Sequence, residues 1–79
     1  MDNFNAKQFI KDRDEALLSL DKDKIMAYCK KYGVPIPDEE LVFWAGIHKA
    51  IVHLISATQE QKERSAQWLL EHGFMPFIR

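Results

Sequence analysis

Leu41-Val42-Phe43-Trp44-Ala45-Gly46-Ile47-His48-Lys49-Ala50-Ile51-Val52-His53-Leu54-Ile55 is the longest mostly apolar run in the chain, and its reading decides the fold. At about 100° per residue the apolar side chains of this run cover an arc of about 220°. The arc passes from Ala50 through Phe43, Ile47, Ile51 and Trp44 to Val52 and Ala45. Only Lys49, His53, Gly46 and Ser56 mark a wet side, shared with Val42. A helix this apolar is expected to be the central one, wrapped on most sides from Leu41 to Ile55, with Trp44 and His48 as packing material. The run is too short to span a bilayer, and it carries His48, Lys49 and His53.

Punctuation on either side sets the other elements. Asp38, Glu39 and Glu40 place three acids where the positive end of the central helix would lie, so that helix is expected over 38–56. Val34-Pro35-Ile36-Pro37 forces an extended connection before it, because each proline fixes its own φ and biases the preceding residue away from the α region. Gly33 is the expected left-handed stop of a helix over 22–32. That helix is capped by Asp21, has Ile25, Tyr28, Cys29 and Tyr32 on one side, and carries Lys30 and Lys31 in its last turn. A first helix over 6–19 is capped by Asn3 or Asn5. Its Ala6, Phe9, Ile10, Ala16, Leu17 and Leu20 share an arc about 120° wide, and Lys11 and Glu15 stand at i,i+4. Thr58 with Gln61 three residues on is a capping-box pattern opening a helix over 59–72, in which Glu60 precedes Arg64 at i,i+4. Gly73 ends it. An apolar tail follows, Phe74-Met75-Pro76-Phe77-Ile78-Arg79. The expected fold is all-α, a compact four-helix bundle forming a single domain over 1–79.

Composition narrows function mainly by exclusion. The chain has 79 residues, 47% hydrophobic and 29% charged, with a net charge of -1. Such a chain has enough apolar material to fold, and it is neither disordered nor low-complexity. It lacks the basic excess of a dedicated nucleic-acid binder. Lys31-Tyr32-Gly33-Val34 resembles the turn of a helix-turn-helix spanning about 25–50. The groove-entering end would then be Asp38, Glu39 and Glu40, facing phosphates, so nucleic acid is disfavoured as a partner. No basic stretch followed by an apolar run opens the chain, so the expected compartment is the cytoplasm, with no membrane attachment. Cys29, the one cysteine, lies on an apolar face and is expected to be inert.

No catalytic constellation emerges. His48 and His53 are five residues apart, about 140° around a helix, and do not ligate one metal together. His48 sits inside the apolar arc, where a neutral imidazole with a hydrogen-bond partner is expected. His72, near a helix end, suits a capping role. Asp21-Lys22-Asp23 opens like a calcium loop, but Met26 and Tyr32 occupy the positions that need Gly and Glu. No cofactor or metal is therefore expected, and no enzyme activity.

Two sets of residues carry what functional signal there is. Trp68, His72, Phe74 and Phe77 form a candidate interaction surface at the end of the last helix, either covered by the tail or offered to a partner. Arg13 falls in the middle of an apolar arc, its head either reaching water or pairing with a carboxylate, for which the acids opening the central helix are one source. With Trp44 and His48 it makes a candidate ligand pocket, provided one cavity reaches all three.

Four stretches, Glu15 to Asp21 (EALLSLD), Lys31 to Pro35 (KYGVP), Val42 to Ala50 (VFWAGIHKA) and Trp68 to Phe74 (WLLEHGF), resemble small uncharacterised proteins carried on conjugative or phage-like elements of gut Firmicutes. The resemblance implies a cytoplasmic bacterial accessory protein, and it brings no activity and no functional residues. The expected function is that of a protein-binding accessory module without catalysis, its partner another protein or a second copy of itself in a homodimer. A nucleic-acid-associated regulator and a small-ligand protein stand as alternatives.

Overall fold

A computed structural model describes residues 5–76. Four helices follow in order: α1 Ala6–Ser19, α2 Lys22–Tyr32, α3 Glu40–Val52 and α4 Gln59–Glu71. The N-termini of α1, α2 and α4 form where short polar side chains answer the unpaired amides of the first turn. The Asn5 side chain accepts from the Gln8 amide, and Asp21 accepts from the amides of Asp23 and Lys24. Thr58 and Gln61 close a full capping box on α4. At the other ends Gly33 (φ 68°) caps α2 and Gly73 (φ 83°) follows α4 in the left-handed conformation that glycine adopts without a Cβ clash.

Helix α3 lies between two packed layers. Phe43, Ile47 and Ile51, with Leu54 and Ala57 after the helix, meet Ala16 and Leu17 of α1 and Ile25 and Cys29 of α2. From roughly the opposite side, about 180° away by helical spacing, Ala45 and Val52 pack with Leu69 of α4 and the half-buried Ala66, Trp68 and Phe74. This two-sided contact is why the segment needs so wide an apolar arc. Burial is strong at its middle and weak at its ends: Leu41 and Val42 are half-exposed, and Ile55 is 97% exposed.

The central helix is shorter than 38–56. It starts at Glu40, with Glu39 as a cap that makes no side-chain hydrogen bond, so only Glu40 of the three acids lies in its first turn. It ends at Val52 because the chain must reverse toward the capped start of α4. His53, Leu54 and Ala57 donate to carbonyls three residues back, a tight turn that buries Leu54 and Ala57 and turns Ile55 outward. Helix α4 ends one residue before the expected 72, with His72 as its cap.

Helix α1 also differs in what it buries. Of the six residues on its expected core face only Ala16 and Leu17 are buried; Phe9 is half-buried, and Ala6, Ile10 and Leu20 are exposed. Phe9 meets the rings of Tyr28 and Tyr32, the latter edge-on with centroids 4.9 Å apart. Leu20 is the helix cap at φ 54°, where a branched side chain costs about 1 kcal/mol. Lys11 and Glu15 form no ion pair; Gln8 and Asp12 bond at that spacing instead.

Gly46 has no such backbone reason. It is in the middle of α3, exposed, and a Cβ added there meets nothing within 4 Å. A helical glycine is less favourable than alanine by about 1 kcal/mol. Gly46→Ala is therefore expected to raise the unfolding free energy by about 0.5–1 kcal/mol, measurable by urea denaturation.

Candidate functional site

The expected surface around Trp68 is a stack. Trp68 and His72 are one turn apart on α4, and His48 comes across from α3. The Trp68 ring lies between the two imidazoles, 4.5 Å from His48 and 3.9 Å from His72, with interplanar angles of 23° and 19°. Phe74 folds back after Gly73, its amide donating to the Leu69 carbonyl and its ring 6.4 Å from Trp68. The tail thus half-covers Trp68 as far as Pro76, which is buried, while Met75 and His72 stay exposed. Phe77 lies outside the described residues. His72 caps α4 as expected, its Nδ1 donating to the Trp68 carbonyl at 2.7 Å.

His48 is buried and its Nδ1 is 2.9 Å from Ser65 Oγ. Burial, and secondarily the charge of His72, push its pKa below the usual imidazole range, so it is neutral near pH 7. A serine against an imidazole has the outline of a nucleophile and its base. Here Ser65 is buried, no carboxylate among the described residues bonds to His48, and the crevice beside the pair is only about 160 Å³, less than the roughly 300 Å³ at which small-molecule sites begin. The pair joins α3 to α4 within the buried layer. No cluster of His, Cys, Asp and Glu suited to a metal occurs among the described residues. Cys29 is buried, and burial pushes its thiol pKa up.

Arg13 pairs with its own neighbour. Its Nε and Nη2 both lie 3.0 Å from Asp14 Oδ1, and the other Asp14 oxygen accepts from Ser56 Oγ at 2.6 Å. The acids opening α3 have other partners: Glu40 takes Lys22 Nζ, and Trp44 Nε1 at 2.8 Å, which together hold its carboxyl below the usual range. Neither cleft that Arg13 lines reaches Trp44 or His48. Arg13 instead forms a wall shared by two clefts. One, about 460 Å³, runs between Ile10 on α1 and His53 to Ser56 in the turn after α3. The other, about 320 Å³, is lined by α1, α2, the proline connection and α3.

A polar network ties α1 to the end of α2. Asp12 accepts from Tyr32 Oη at 2.6 Å and Lys31 Nζ at 3.0 Å, and from Gln8 at 2.8 Å. These donors, Tyr32 foremost, hold the Asp12 pKa down at about 2. Lys31, a residue that a DNA-binding turn would offer to phosphate, is thereby engaged within the fold. Tyr32→Phe is expected to move the Asp12 pKa up toward the ordinary 3.8, read from a carboxyl NMR titration. Retention of the low value would assign the effect to Lys31. In the wild type the Asp12 contribution to stability is present above 3.8 and is lost as pH falls through about 2.

Sequence reasoning missed Ser65, Asp12 and the two clefts. Ser65 is recognisable only as a polar residue on the inward side of α4, and Asp12 only as an i,i+4 neighbour of Gln8. The clefts depend on several elements at once. Comparison of the chain with protein-family models, curated proteins and solved structures gives no match. No helix among the described residues is long and apolar enough to cross a membrane.

Proposed function

We propose that the chain is a small cytoplasmic bacterial accessory protein that binds another protein chain and carries no catalysis of its own. The observation that supports this reading is Ile55, 97% exposed at a turn. It stands with half-exposed Ile10 at the edge of the 460 Å³ cleft, with Arg13, Asp14, His53 and Ser56 around it. Burying such a side chain is worth about 1.5–3 kcal/mol, and an apolar anchor beside a cleft with a polar rim is the usual anatomy of a binding surface. The acids at the start of α3 and the engagement of Lys31 by Asp12 favour this over a nucleic-acid role.

Light scattering on the wild type and Ile55→Asp at two concentrations tests the reading. A mass that doubles for the wild type alone identifies the partner as a second copy. A monomer throughout directs the test to affinity capture with both chains as baits. Retention of a protein by the wild type and its loss from Ile55→Asp is then expected, and equal retention by both baits, or none, overturns the assignment of this face. Because Ile55 makes little contact, the variant is expected to melt within a few degrees of the wild type.

A further inference from the structure

We propose that the 320 Å³ cleft between α1, α2 and α3 binds a free medium-chain carboxylic acid, the apolar chain inside and the carboxylate on Arg13. The volume is at the small end of the roughly 300–1,000 Å³ of small-molecule sites. Its walls are apolar: Leu17 from α1, Cys29 from α2, Val34 from the connection, and Phe43 and Ile47 from α3. Pro35 and Pro37 line its side from a connection that forms no helix.

Two features ask for an occupant. The first is Gly46, which lines the cleft from the middle of α3 where a Cβ would meet nothing. The fold gains nothing from this glycine and loses helix stability by it. What the missing side chain leaves is room. The second is Arg13, the one ionised side chain in the lining. Asp14 holds Nε and Nη2 and so fixes the guanidinium plane, while Nη1 has no partner among the described residues. A fixed guanidinium with unused donors at the edge of an apolar cleft matches a carboxylate on an apolar chain. This cleft shares only Arg13 with the lining of the Ile10/Ile55 cleft, and the inference does not rest on the protein-binding reading.

Amide NMR titrations with octanoate, and with octanol as the uncharged probe, test it on the full chain. The wild type is expected to show saturable octanoate shifts at the amides of Cys29, Val34, Gly46 and Ile47, with octanol binding more weakly. Arg13→Gln is expected to weaken octanoate by about tenfold or more, the loss of a charge-assisted hydrogen bond, and to leave octanol unchanged. Gly46→Leu, which fills the cleft, is expected to abolish the shifts while its melting temperature stays at or above that of the wild type. Absence of saturable shifts at those amides in the wild type overturns the site. So does octanol binding as tightly as octanoate, or octanoate binding that survives in folded Gly46→Leu. If Gly46→Leu fails to fold, the wild-type map and the Arg13→Gln titration decide the matter alone.

Discussion

Leu69→Ala is expected to lower the unfolding free energy by about 3–4 kcal/mol, the middle of the range for a leucine removed from a rigid core. Leu69 is 0% exposed and is the main contribution of α4 to the layer it shares with Ala45 and Val52. Those neighbours are small or short, so they collapse poorly into the space left behind. A domain of this length has about 4–12 kcal/mol in total, so the loss takes a quarter of it or more. At about 4–8 °C per kcal/mol for a domain of this size, the melting temperature falls by about 12–32 °C. The neighbouring Leu70, more than half exposed, provides the contrast: Leu70→Ala is expected to cost less than about 0.5 kcal/mol. Urea denaturation of the two variants checks both. A Leu69→Ala loss below about 1 kcal/mol would mean that α4 is not docked on α3 as described.

That contrast shows which parts of the molecule can be read from the chain alone. The starts of α1, α2 and α4 are legible because their caps are local, whereas α3, whose cap makes no side-chain hydrogen bond, starts two residues later than its acids imply. Asp21, Thr58 and Gln61 act within one turn of themselves, as does Gly33 at a helix end, and all four do what their spacing implies. The end of α3 is not legible. Leu54 continues the apolar arc of the helix and is buried, but it reaches the core through a tight turn, and no glycine or proline marks the change. Burial along α1 is less than its periodicity implies. The apolar face of Ile10 and Leu20 exists, but both side chains stay about half exposed. Arg13 is legible as a charge on an apolar face. Its spacing leaves open whether the head reaches water or pairs with a carboxylate, and the structure shows the adjacent Asp14, fixed by Ser56 from the turn after α3, as its partner. The aromatic residues near the C-terminus were recognisable as a group, whereas their stacking with His48 depends on how α3 and α4 cross.

That crossing makes His48 the group whose chemistry is most tightly linked to folding. Ser65→Ala is expected to cost about 1–3 kcal/mol, because it leaves Nδ1 of a buried imidazole without a partner. His48→Phe keeps a ring against Trp68 but orphans the Ser65 hydroxyl, for a similar cost. The double variant removes both polar partners and is expected to recover most of the loss, so the two single effects are strongly non-additive. Acid distinguishes the two chains further. The folded-state pKa of His48 lies below the ordinary 6.5, through burial first and the charge of His72 second. Between those values the unfolded chain binds a proton at this position and the native chain does not, so stability rises with pH. The His48 contribution is fully present above 6.5 and is lost as pH falls through the folded-state value. Urea denaturation of the wild type at pH 7.5 and near pH 5, where an unfolded histidine is mostly protonated, is expected to show this loss. Asp12 and Glu40 add little over that interval, since their folded-state values lie below the carboxylate range. His48→Phe is expected to show a smaller fall between the same two conditions. An equal fall in both chains would assign the acid sensitivity to another group, and would remove His48 as the titrating element of the core.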